Sequence, residues 1–181
     1  MIFAGRLERA EAAPAAGAIA VSAAKPITAT EVKVNVSIAE ATERAIATGA
    51  DGVGLLRVEH MILGMGKHPH WYIAHNNKDA FVSQLQRGIR TVVDAFFPRP
   101  VWVRTLDAPT DEFREMEGGE EEPIEPNPML GWRGASRYYH KNYRDGFALE
   151  CQAMKKVREQ IGLTNVVLMI PFCRTVDAAR A

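Results

Sequence analysis

Three arginines stand where short apolar runs end: Arg57 in GVGLLRVEH, Arg104 in VWVRTLD and Arg133 in NPMLGWRGASR. A guanidinium is planar, permanently charged and matches a phosphate or carboxylate with two parallel hydrogen bonds. Three such forks from separate segments suit a small, strongly anionic ligand. The chain holds 22 basic and 22 acidic residues. The arginines are therefore no part of a general basic coat, and bulk electrostatic binding to nucleic acid or an anionic membrane is not expected. The ordinary alternative is ion pairing, for which Glu59 stands beside Arg57 and Asp107 beside Arg104.

The other reactive residue types carry less. His60, His68, His70, His75 and His140 read as loop histidines, because His68-Pro69-His70 does not set two ligands on one helix face and no cysteine or carboxylate cluster has ligand spacing. Glu120, Glu121 and Glu122 read as a solvated loop. Cys151 and Cys173 lack metal spacing and read as free thiols in a reducing, cytoplasmic setting. Arg174 is a weaker fourth arginine on the same rim, and Trp102 and Trp132 read as packing residues beside the arginines.

The elements that must position these groups follow from periodicity. Val32–Val36 alternates as a strand, and Ser37 with Glu40 suggests a capping box opening a helix that Gly49 closes. Gly52–Leu56, Val101–Thr105 and Asn165–Ile170 read as further strands. Between them, Asp79–Phe96 repeats Phe81, Leu85, Ile89, Val92 and Phe96 at helical spacing, and Tyr143–Gly162 does so with Phe147, Cys151, Met154, Val157 and Ile161. Residues 108–128 read as a loop, 134–139 as a short helix, and Thr175 as the cap of a last helix. Strand alternating with helix is the signature of parallel βαβ units. No Gly-rich dinucleotide loop follows the first strand, so the expected fold is α/β, a partial (β/α)8 TIM barrel of about four units. Its active site would lie at the C-terminal ends of the strands, where the three arginines fall.

The 181 residues can bury a substantial core, and no apolar run approaches the roughly 18 residues of a membrane span. The Ala-rich start makes a poor signal sequence, since Glu8 and Glu11 interrupt it. Residues 1–30 read as the remnant of a preceding domain plus a linker, and 31–181 as the barrel portion.

The segments ADGVGLLRVEHMI, VWVRTLDAPTDEF, EPNPMLGWRGASRY and FALECQAMKKVREQIGLTNVVLMIPFCRTVDAARA resemble the C-terminal barrel domain of the phosphoenolpyruvate-utilising enzymes, over about residues 30–181. Residues 1–9 are similar to the tail of that family's phosphohistidine domain. The resemblance implies a phosphotransferase, most like the branch that converts ATP, pyruvate and water into phosphoenolpyruvate, AMP and phosphate. Val58, where several relatives carry Thr, points away from the dikinase branch. It implies that a phosphohistidine on a swivelling domain delivers its phosphoryl group to pyruvate enolate on Mg2+. Arg57 and Arg104 are implied as catalytic contacts, and Arg57, Arg104 and Arg133 as substrate-binding. The Mg2+ ligands and a catalytic cysteine are implied on strands later than Ala181, and neither Cys151 nor Cys173 matches that cysteine's motif. By itself the chain is then expected to be inactive. The other readings are a stand-alone anion-binding module, expected to form a homo-oligomer that pairs the strand edges of two half-barrels, or a fragment from the family's pyruvate phosphate dikinase branch.

Overall fold

Strands β1 (Val34–Val36), β2 (Val53–Arg57), β3 (Val101–Arg104) and β4 (Val166–Met169) form one parallel sheet in the order β1-β2-β3-β4. The structure, a computed structural model, describes residues 28–181; the remnant and linker expected over residues 1–30 fall almost wholly outside that range. Each strand is hydrogen-bonded to the next in sequence, and each parallel step needs a crossover, which the helices supply. A doubly wound sheet reverses direction at a switch point. This one never reverses, as expected of half a (β/α)8 barrel.

The core lies between the sheet and two helices. Helix α4 (Lys78–Phe96) buries Phe81, Leu85, Ile89, Val92 and Phe96, the residues its spacing selected. They join Val53, Leu56, Val101, Val103 and Val166 from one face of the sheet in a single cluster. Full burial of each such side chain is worth ~1.5–3 kcal/mol. Helix α7 (Arg144–Lys155) packs along α4.

Several local expectations give way. Ser37 does not cap a helix. A tight turn over Ala39–Ala41 precedes α1 (Thr42–Ala47), Ile38 occupies the cap position, and no cap side chain accepts a hydrogen bond. The tight turn takes up Glu40, the residue the capping box required. Gly49 does close the segment, at φ +70°. The loop expected over 108–128 contains α5 (Thr110–Arg114), with Pro109 before it and Asp111 and Glu112 in its first turn, where acidic side chains favour the helix dipole. Short helices α2 (Glu59–Leu63) and α3 (Pro69–Ala74) take up His60 and His70, which read as loop histidines, with His68 and His75 at the two ends of α3, and α6 (Ala135–Tyr138) forms where a short helix was expected. Helix α7 gives way at Lys156–Gln160 to a wider turn, and the face it buries differs from the one its spacing suggested. The fully buried stripe is Leu149, Ala153 and Val157, while Phe147, Met154 and Ile161 are only partly buried. Thr175 caps α8 (Val176–Arg180), its hydroxyl accepting from the Ala178 amide at 3.1 Å.

Candidate anion-binding site

The site begins with a miscount in the sheet. Val53 to Leu56 on β2 spans the same rungs as Val34 to Val36 on β1 and Val101 to Val103 on β3, so β2 carries one residue more than either neighbour. This bulge lets both Val53 and Leu56 face the helices. Arg57 then becomes the register partner of Arg104, on the opposite face from buried Val103. Without the bulge, strict alternation over the five residues from Val53 would send Arg57 toward the core. Gly54, inside the strand, is the one sequence signal for it.

Arg133 arrives from the turn before α6. Gly134, next to it, adopts φ +63° and ψ −142°, and a Cβ there would stand 2.4 Å from the Pro171 carbonyl oxygen. Only glycine suits this conformation and this approach. The Ala135 amide bonds that same carbonyl at 2.9 Å, fastening the arginine-bearing turn to the end of β4.

Arg57, Arg104 and Arg133 line one cavity of about 340 Å³, together with Glu59, His60, Leu63, Asp107, Pro109, Glu112 and Met129. Two of the arginines are tied down. Arg104 donates from Nη2 to Glu59 Oε1 at 2.7 Å and lies 3.3 Å from Asp107 Oδ2 through Nη1. Arg133 donates from Nε to Asp107 Oδ1 at 2.7 Å and from Nη2 to the Asp107 carbonyl at 3.1 Å. The expected pairing of Arg104 with Asp107 forms; that of Arg57 with Glu59 does not, because Glu59 reaches across the strands instead. Among the described residues Arg57 makes no ion pair, and its Nε is buried without a partner. A lining of three guanidiniums and three carboxylates is close to neutral overall, so the positive charge free to meet an anion is concentrated at Arg57. Glu59, Asp107, Glu112 and His60 are the lining groups that sequence reading did not assign to the site. The signal for two of them was a carboxylate within three residues of an arginine.

A buried ionic cluster supports the Arg133 turn. Arg137 is fully buried and donates to Glu122 through both Nη1 (2.6 Å) and Nη2 (2.7 Å), with the Trp132 and Tyr143 rings 4.5 and 4.9 Å from its guanidinium carbon. His68 Nδ1 accepts from the His70 amide, so Nε2 carries the proton and donates to Glu122 at 3.0 Å. Burial dominates at His68 and lowers its pKa, keeping the ring neutral. Burial alone would raise the Glu122 carboxyl; the His68 hydrogen bond and the Arg137 charge more than offset it and hold the group below its ordinary value. Glu122 is thus no solvated loop residue and His68 no loop histidine. Trp132 packs as expected, but Trp102 stands 39 % exposed on the sheet face that Arg104 shares.

Beneath the β3–α5 loop lies Glu150, whose Oε2 accepts from the Leu106 amide at 2.9 Å while Oε1 meets the Tyr143 hydroxyl at 3.2 Å. Burial pushes its carboxyl from 4.5 up to about 7. The folded chain therefore holds a proton that the unfolded chain releases. The stability this group contributes is complete below pH 4.5 and is lost as pH rises to about 7. A loss of ~2–3 kcal/mol is expected across that window. Urea midpoints from pH 4.5 to 8 should show it, and the isosteric Glu150→Gln chain should lack that component of the slope.

Arg174 is not part of the cavity. It bonds the Gly131 carbonyl at 3.2 Å and stacks on Phe172. Cys151 and Cys173, both free, line a separate groove of about 1010 Å³ between α6, α7 and α8. Among the described residues no group of three or more His, Cys, Asp or Glu is arranged to hold a metal ion, and no helix is long and apolar enough to cross a membrane.

Comparison with known proteins gives a consistent result. The family described as PEP-utilising enzyme, PEP-binding domain, matches residues 13–181. A probable phosphoenolpyruvate synthase of Methanocaldococcus jannaschii is 52% identical over 180 residues, covering 99% of this chain and 15% of that protein. The phosphoenolpyruvate synthase of Pyrococcus furiosus is 52% identical over 165 residues, 91% of this chain and 20% of its own length. That of Synechocystis is 43% identical over 178 residues, with 22% of its length covered. The chain thus spans about a fifth or less of each of these relatives.

Proposed function

Since the chain belongs to the phosphoenolpyruvate-utilising enzymes, within their PEP-binding domain, we propose that its arginine cavity holds phosphoenolpyruvate, or pyruvate enolate and the phosphoryl group about to join it. The observation that carries this reading is the convergence of Arg57, Arg104 and Arg133 on one cavity at the C-terminal ends of parallel strands. Arg57 and Arg104 contact the transferring phosphoryl group, and Arg133 binds substrate. In the transfer, the phosphorus–nitrogen bond of a phosphohistidine on another domain breaks and a bond to the enolate oxygen forms. Such a transition state is loose, with charge spread over the equatorial oxygens, so catalysis consists mostly of positioning and charge stabilisation. Arg104 and Arg133, already pinned by carboxylates, supply positioning without reorganising, and Arg57 brings the unpaired charge. The whole reaction served is the conversion of ATP, pyruvate and water into phosphoenolpyruvate, AMP and phosphate, in a reducing cytoplasm that suits two free thiols.

Mg2+, which the family resemblance implies, does not fit the described residues. Glu59 and Asp107 are committed to arginines, and among the described residues no three His, Cys, Asp or Glu groups converge to hold an ion. Calorimetric titration of the chain with phosphoenolpyruvate, with and without Mg2+, tests the binding reading. Saturable binding is expected in both, and no heat of binding at millimolar ligand would sink it.

A second reading concerns assembly. Among the described residues β1 and β4 each leave one edge unpaired, and open edges invite pairing. Two copies joined β4 to β1 would keep every strand parallel. Light scattering should then report a dimer or larger species, and a monodisperse monomer would refute this.

A further inference from the structure

Arg57 and Arg104 are register partners on adjacent strands. Adjacent strands lie ~4.8 Å apart, so two like charges rise side by side from one sheet face, an arrangement that is unfavourable unless something separates them. Glu59 is 5 % exposed, and its Oε1 accepts both from Arg104 Nη2 at 2.7 Å and from the Asp107 amide at 2.9 Å. A carboxylate fixed to a backbone amide cannot swing, and the guanidinium it holds is fixed with it. Arg104 Nε and Glu59 Oε2 are both buried without partners. A two-point fork between these residues would satisfy both atoms. The observed single-point contact instead leaves Nη1 directed at Asp107, so the geometry orients Arg104 rather than maximising its bonds to Glu59.

We propose that Glu59 is a positioning residue: it ties Arg104 to the β3–α5 loop and holds its guanidinium apart from that of Arg57, so that the two forks reach one phosphoryl group from different directions. This rests on the reading of the cavity as a phosphoryl-anion site, and the test separates the two.

The 181-residue chain, labelled with 15N at arginine, is compared with Glu59→Gln and Glu59→Asp by NMR. Gln removes the charge at equal length; Asp keeps the charge and withdraws it by one methylene. Without ligand, rotation about the Arg104 Nε–Cζ bond should be slow in the parent chain and about tenfold faster in both variants, reflecting loss of a charge-assisted hydrogen bond. Arg57 rotation, which no ion pair among the described residues restrains, should be fast in the parent chain and in both variants. Unaltered Arg104 rotation in both variants overturns the proposal, and so does loss of the dispersed spectrum in both, which would make Glu59 a residue of the fold. Rotation that changes only in Glu59→Gln overturns the geometric claim, leaving charge alone responsible. Titration with inorganic phosphate forms the second arm. Arg57 and Arg104 should respond with one affinity in the parent chain and with separate affinities in Glu59→Gln. No response in the parent chain refutes the anion-site reading, while the ligand-free arm still decides the role of Glu59.

Discussion

Replacing Arg137 by alanine is expected to lower unfolding stability by about 3–5 kcal/mol, the cost of stranding one member of a buried ion pair. The magnitude follows from what the substitution leaves behind. Glu122 would keep its His68 hydrogen bond but lose two charge-assisted donors in a site closed to solvent. Three aromatic rings, Trp132, Tyr143 and Phe113, would also face a void. For a chain of this size such a loss lowers the melting temperature by about 6–20 °C, readable by calorimetry. An apolar pair in place of both residues, Arg137→Met with Glu122→Leu, should recover much of the loss, because the desolvation of both charges disappears together. A single Arg137→Ala change of under 1 kcal/mol would mean the cluster is a surface-like pair, contrary to its burial. The consequence reaches the cavity, since Arg133 stands four residues upstream on the turn that this cluster anchors.

Arg57→Ala should have the opposite profile, a large functional loss at little structural cost. Arg57 makes no ion pair among the described residues, so its removal strands no carboxylate. Arg104→Ala or Arg133→Ala would leave Asp107 short of a partner, and the former would do the same to Glu59. Arg57 is therefore the cleaner probe. Losing one preorganised donor to developing charge costs ~2.7–4 kcal/mol, a factor of about 10²–10³ in turnover. Under the proposed function, phosphoenolpyruvate formation by a full-length phosphoenolpyruvate synthase carrying this segment should fall by that factor, and in the 181-residue chain phosphoenolpyruvate affinity should fall while the melting temperature hardly moves. Turnover near the parent level would reject the assignment of Arg57.

What was legible in the sequence was local. The first strand is legible by alternation, the others as short apolar runs, and α4 by apolar residues at helical spacing, and each arginine closes or follows such a run. What stayed hidden depends on partners far along the chain. Glu122 sits in a run of three glutamates that looks solvated, yet its partners are His68, 54 residues earlier, and Arg137, 15 residues later. Glu150 sits in an amphipathic helix whose partners, a backbone amide at Leu106 and the Tyr143 hydroxyl, belong to no periodicity. Glu59 was visible as a neighbour of Arg57, but sequence proximity suggested the wrong arginine.

The surplus residue in β2 also sets where this chain tolerates change in length. Deleting Gly54 or Leu55 would bring β2 to the same count as β3, restore plain alternation, and leave Arg57 opposite Arg104 on the cavity face, whereas one residue dropped between Val101 and Arg104 would carry Arg104 round to the helix side. Crossover loops can grow or shrink by several residues at little entropic cost. The sheet works like a reading frame in which β2 holds one spare letter: a single dropped residue should do less harm to the cavity there than in β3, where the count has no surplus.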